Sequence, residues 1–318
     1  MKRQRIYLLL FPALLLVSGC SDSEQSEPEQ VPIELHAQGN ATVETKADQT
    51  ITEAFGTTVF ASMRSGNYTG LTSPANNVKE WKIDTEVQTN GTVPLSGNPT
   101  YPENGDWLYL IAVAPKASSY SDNDGKVTYT LAGQTDLMYA SQISGNRWDG
   151  SRFVNTDGSG TPLTYKHLLT QLTFKAMKKV TGGLSMKVKK ITVTATNSVT
   201  LALTDGETSF SGSGELFLEL PDDGTEISGT TATPLPGSLL LPPLTGTSDA
   251  YKLTVETSIG TFKDLEITPQ SAGGNLSFAG GTSHEITLNI GDKELGISSV
   301  TVSEWVPVVK NDDLNLVE

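Results

Sequence analysis

Apolar and polar residues alternate along most of the chain from Val31 onward. In "IELHA" the apolar positions Ile33, Leu35 and Ala37 share one side. The same period of two runs through "DWLYLIAVA" (106–114), "KVTYTLA" (126–132), "KKITVTA" (189–195), "VTLALT" (199–204), "GELFLEL" (214–220), "YKLTVETS" (251–258) and "HEITLNI" (284–290). Alternation rich in Thr, Val, Ile and Tyr predicts strands with one face in a core and one in water. Turn pairs punctuate the strands. Asp-Gly stands at 124–125, 149–150, 157–158, 205–206 and 223–224, and Asn-Gly at 90–91 and 104–105. Such pairs tolerate a positive φ and suit tight reversals. The segment "HLLTQLTFKAM" (167–177) fits a helix in part, but Leu172, Phe174 and Ala176 alternate and Thr173 favours extension, so it reads as a strand. "ATPLPGSLLLPPLTG" (232–246) carries four prolines, which supply no ladder donor. It reads as an edge crossing or a loop. Many short strands joined by Gly/Asp turns predict an all-β chain of β-sandwiches. The glycine-rich "NTDGSGTPLTY" (155–165) is the most flexible stretch near mid-chain. It suggests an N-terminal sandwich over 31–161 and a C-terminal one over 162–318.

The first thirty residues break this pattern. Lys2, Arg3 and Arg5 precede an apolar run from Ile6 to Val17. Basic start, short apolar core and small-residue exit together read as a secretory signal, residues 1–19. The run is short of the ~20 residues that span a bilayer. Its exit, Val17-Ser18-Gly19-Cys20, resembles the bacterial lipobox, in which cleavage precedes the cysteine and the thiol receives a diacylglycerol. Cys20 is the chain's one cysteine, so no disulfide can form, and a thioether to lipid needs no second thiol. Two or three acyl chains anchor a protein stably to a membrane. Residues 20–30 follow as an acidic tether with Asp22, Glu24, Glu27 and Glu29. It is similar to the surface-export tether of Bacteroidetes lipoproteins and also reads as a solvated linker.

Charge narrows the partners. The chain has 318 residues and a formal net charge of −14, with three of its cations in the signal. So acidic a chain repels nucleic acid and anionic membranes. Six lysines, at 175, 178, 179, 187, 189 and 190, stand out against this background. They read as solvated, edge-protecting side chains or as a dock for an acidic neighbour.

Little points to chemistry. His36, His167 and His284 have no metal-ligand spacing. There is no nucleophile elbow and no phosphate-binding glycine loop. "DNDG" (122–125) offers oxygens but lacks the further carboxylates of a calcium loop, so a hairpin turn is the better reading. No constellation would activate a nucleophile or a water, so neither a catalytic residue, a metal ligand nor a cofactor is assigned. Trp81, Trp107, Trp148 and Trp305 could stack on sugars but read more simply as buried anchors.

Three features together resemble the fimbrillin-like proteins of Bacteroidetes, lipoprotein-derived pilus subunits: the lipobox with its acidic tether, the mid-chain "YKHLLTQLTFKA", and the ending "GGTSHEITLNIGDKELGISSVTVSEWVPV". The resemblance implies two transthyretin-like β-sandwiches behind a lipoprotein signal peptide, and an outer-membrane, surface-exposed precursor that ends up in a fimbrium. It also implies assembly by strand exchange: a protease removes the first strand, here "VPIELHAQGN", and a strand of another subunit fills the gap. The donor would be "SSVTVSEWVPVV", with Val300, Val302, Val306 and Val308 on one face and Trp305 on the other. The family's Arg-Ala cleavage pair corresponds to Lys46-Ala47, and Lys lacks the planar fork that an Arg-specific protease reads. Arg64 is an alternative. The chain is therefore expected to be either a polymerising subunit or a lipid-anchored accessory. The rival reading is a surface glycan-binding lipoprotein of a sugar-uptake system, which needs aromatics clustered on one face.

Overall fold

In a computed structural model, residues 30–39, 51, 53–71, 80–179, 185–221, 223–244, 246, 249–268, 277–291 and 295–305 are described. All regular structure among them is β, and none of it is helical. Among the described residues twenty strands form four sheets. The first sheet runs in the order β1 (Ala37–Gly39), β8 (Leu163–His167), β7 (Met138–Gly145), β4 (Leu108–Ala114), β2 (Phe55–Ser62), β3 (Trp81–Val87). The second runs β13 (Gly214–Glu219), β10 (Met186–Ala195), β17 (Tyr251–Thr257), β18 (Gly260–Ile267), with β14 (Thr225–Ile227) also on β10. The third is β12 (Thr208–Ser211), β11 (Ser198–Ala202), β6 (Lys126–Thr130), β5 (Tyr120–Ser121). The fourth is β15 (Thr233–Pro234), β9 (Thr170–Lys178), β19 (Thr282–Ile290), β20 (Leu295–Glu304), with β16 (Leu239–Leu241) also on β9.

The alternating segments are strands, except "IELHA", of which only Ala37 lies in one; 167–177 is extended too, with His167 ending β8 and β9, from Thr170, burying Leu172, Phe174 and Ala176. The proline-rich stretch supplies β15 and β16, both on the outer side of β9. There the missing N–H of Pro234 costs nothing within the sheet. All seven glycines of the Asp-Gly and Asn-Gly pairs adopt positive φ. At Gly206, between β11 and β12, an added Cβ would also sit 2.5 Å from the Tyr139 ring, so only glycine fits.

Two apolar cores flank the first sheet. On one face, Val59, Ala61, Trp81, Leu108 and Leu110 pack with Ile33, Leu35 and Ala37. On the other, Phe60, Ile111 and Val113 pack into a larger core that runs on through Val127, Val199, Leu172, Ile191 and Leu253 in the other three sheets. Sheet faces packed across these cores make β-sandwiches. Strands from both sides of residues 161–162 share sheets: β8 closes onto β7, and β6 pairs with β11 from Ser198↔Thr130 to Ala202↔Lys126.

Candidate functional site: the seats of the first and last strands

The first strand segment, Val31–Gly39, is read twice by its surroundings. Its alternation sends Ile33, Leu35 and Ala37 into the core and leaves Glu34 and His36 exposed. Its backbone first bonds to the 91–101 segment. Ile33 N donates to Pro99 O at 2.9 Å, Tyr101 N to Val31 O at 3.0 Å, and Val93 N to Leu35 O at 3.1 Å. Ala37 N then donates to Gly91 O at 2.7 Å, where a Cβ on Gly91 would lie 2.8 Å from Ala37 O. Beyond that point the segment changes partner. Leu163 N donates to His36 O at 2.8 Å, and β1 pairs in parallel with β8 for three residues, Ala37↔Leu163 to Gly39↔Tyr165. Two cavities border the segment, and Ile51 lines both. One, of about 320 Å³, lies between His36–Gln38, Asn90 and Phe153–Pro162. The other, of about 280 Å³, lies between Gln38, Gly39, Asp136, His167 and Trp305.

The last strand is seated differently. β20 pairs antiparallel with β19 from Thr282↔Glu304 to Ile290↔Leu295, with one irregularity at Thr287/Leu288. Its other edge carries no strand among the described residues. Val300 is buried and Val302 half-buried, as an inner face requires, while Ser299, Thr301 and Ser303 are exposed. Past the ladder, Trp305 is buried and stacks on His167, ring centroids 3.9 Å apart and 10° from parallel. His167 Nδ1 lies 2.7 Å from Asp136 Oδ2. The end of the last strand therefore rests on the first sheet, beside the end of the first strand. Sequence reasoning named His167 and Trp305 separately and missed this contact. Nothing local marks it, because the two rings come from distant parts of the chain. Cys20, Lys46, Ala47, Val306 and Val308 lie outside the described residues.

The remaining candidates are dispersed. His284, on β19 opposite Val302, is fully buried, and desolvation pushes its pKa down to about 4. Its Nε2 is 2.9 Å from Thr282 Oγ1, and its Nδ1 has no partner among the described residues. Burial pushes the Tyr101 phenol up to about 12. Among the described residues no group of three His, Cys, Asp or Glu could hold a metal. Three of the six lysines, on two sheets, form ion pairs, and Lys178 is buried, against the expectation of a solvated side chain there. Lys175 meets Glu285 at 2.8 Å, Lys187 meets Asp223 at 3.9 Å, and Lys190 meets Glu219 at 3.7 Å while lying over Phe217. These are cross-strand and turn contacts, so the solvated-face reading fits them better than an open basic dock. Residues 122–125 form the turn between β5 and β6, with Lys126 3.7 Å from Asp124. Trp81 and Trp305 are buried anchors; Trp107 and Trp148 are exposed.

Residues 31–305 match the fimbrillin-like family, a span that opens with the first strand and closes on Trp305. A candidate cell adhesion protein of Bacteroides uniformis superposes with a TM-score of 0.57 at 14% identity, over 86% of this chain and 99% of its own. Another, of Bacteroides ovatus, gives 0.57 at 16% identity, over 89% of this chain and 100% of its own. At such identities the likeness is one of fold. No curated protein matches the chain.

Proposed function

The chain belongs to the fimbrillin-like family, and we propose that it is a structural subunit or accessory of a cell-surface pilus that serves adhesion, without catalysis or cofactor. In this reading it is exported behind the signal 1–19 and held at the outer membrane by lipid on Cys20. It is cut at Lys46-Ala47 and joined to other subunits by strand exchange. Val300, Val302, Trp305, Val306 and Val308 belong to the donor. Two sandwich units parted near residue 161 complete the proposal, with β8 and β11 reaching across the divide.

One observation carries the reading. The first strand fills an apolar groove with three buried side chains, yet its regular ladder is only three residues long and cavities border it. Once cut free, such a strand is held only by backbone bonds divided between two partners and by its buried side chains. Its loss strands Gly91 O, Pro99 O and the N–H groups of Val93, Tyr101 and Leu163. Each buried polar group left unmet costs ~1–3 kcal/mol. A strand from a neighbour would meet them and refill the groove together. Before cleavage the tethered strand competes at a local concentration of roughly millimolar or more, so uncut protein stays monomeric. Head-to-tail contacts that do not close make a filament.

N-terminal sequencing of subunits from native surface filaments tests the proposal. A start at Ala47 is expected. Filaments whose subunits retain Ile33 to Lys46 would overturn the exchange step and leave a lipid-anchored accessory. Deleting residues 299–318 is expected to give folded monomer that no longer polymerises, and Cys20→Ala to abolish labelling by a clickable fatty acid.

A further inference from the structure

Two of the four tryptophans are exposed, Trp107 at 45% and Trp148 at 60%, whereas Trp81 and Trp305 are buried. The exposed pair shares one end of the first sheet. Trp107 directly precedes β4, whose first residue Leu108 pairs with Gly145, the last of β7; Trp148 follows three residues later. A Cβ on Gly105 would stand 2.8 Å from Trp148 Nε1, so the indole edge lies against the backbone of the loop that leads to Trp107. Arg147 lies 5.3 Å from the Trp148 ring centroid and donates to Glu103 O at 2.5 Å, tying the two loops together. Trp148 N donates to Asn146 Oδ1 at 3.0 Å, and Ser151 N to Trp148 O at 2.9 Å. Below, Phe153 N donates to Tyr101 Oη at 2.8 Å, and the two rings stack at 5.6 Å. The two loops are thus tied to one another, and both tryptophans stand exposed at the same end of the first sheet.

We propose that Trp107 and Trp148 form a contact platform for a neutral polysaccharide. The C–H face of a pyranose docks on the electron-rich face of an indole. Its hydroxyls need donors and acceptors at the rim, and Glu103, Asp106, Arg147 and Asp149 supply both. Two indoles on adjoining loops suit successive sugars of one chain. An apolar protein or lipid partner would need aliphatic neighbours, yet the residues between and beside the indoles are Glu103, Asn104, Asp106, Asn146, Arg147 and Asp149. An anionic polymer would meet three carboxylates, Glu103, Asp106 and Asp149, against two guanidiniums, Arg147 and Arg152, whose Nε donates to Arg147 O at 3.0 Å, on a chain of net charge −14. The platform involves neither the first nor the last strand, so it stands apart from strand exchange.

Affinity electrophoresis of the full chain tests it, in gels carrying amylopectin, mannan or, as the anionic comparison, hyaluronan. Retardation by a neutral polysaccharide is expected, weakening roughly tenfold for each indole removed in Trp107→Ala and Trp148→Ala. The double variant should lose retardation while keeping the native melting midpoint, and Trp148→Phe should keep most of it. On unaltered protein, the retarding polysaccharide should blue-shift tryptophan emission and protect it from acrylamide, since Trp81 and Trp305 are already shielded. Absence of retardation by both neutral polymers, undiminished retardation of the double variant, or stronger retardation by hyaluronan would each overturn the proposal.

Discussion

The first and last strands are held by opposite means. Val31–Gly39 buries three apolar side chains but has a short regular ladder shared between two partners. Leu295–Glu304 has a ladder along its full length, but Leu295, Ile297 and Val302 are only half-buried and its outer edge carries no strand among the described residues. Side-chain burial is non-directional and can be supplied by any strand of suitable pattern. A ladder is directional and specific in register. A segment held mainly by burial can be replaced by another chain's strand, whereas one held by its ladder keeps its place until that ladder opens. The chain thus combines a first strand that shares its backbone bonds between two partners with a last strand laddered along one edge, and Trp305 on His167 brings the two ends together.

Substitutions at the two ends should separate these means of attachment. Leu35→Asp puts an unpaired carboxylate in the core and should cost about 4 kcal/mol or more, leaving little folded precursor. Val302→Asp, at a half-buried edge position, should cost far less. Urea unfolding of both variants checks the contrast, and equal costs would break it. Trp305→Ala removes the stack on His167 and should cost about 3 kcal/mol. Amide exchange should rise at the end of β20 and not at Val93 or Tyr101; a uniform rise would show that the stack does not act on the last strand selectively.

Acid should also act on the last strand. His284 is held neutral, its folded pKa of about 4 lying below the ordinary 6.5. The unfolded chain therefore gains a proton first as pH falls. The stability that neutral His284 contributes is complete above pH 6.5 and declines between 6.5 and 4, by about 2 kcal/mol at pH 5. Amide exchange corrected for its intrinsic pH dependence should rise along β19 and β20 in that window. His284→Gln should flatten the response. The smallest effect is expected at Lys175 and Glu285, both half-exposed; Lys175→Ala should shift stability by no more than about 0.5 kcal/mol in thermal melts.

The sequence alone determined the class of the fold and much of its detail. Alternation is a local property of a strand with one wet face, so β6, β13, β17 and β19 were legible from their own residues. The glycines after Asp and Asn marked positive-φ turns for an equally local reason. Where a strand is covered on both faces the signal fails: "FGTTVFAS" shows no alternation because β2 lies between two cores, and nothing in its residues announces that. Partner choice was likewise settled only in three dimensions. The parallel pairing of β1 with β8 and of β9 with β19, the joining of β6 to β11, the approach of Gly105 to Trp148 and the seat of Trp305 on His167 all bring together distant residues. Loop closure grows only slowly more costly with length. Many pairings are therefore open to the chain, and the fit between buried faces, a property of the whole fold, selects among them.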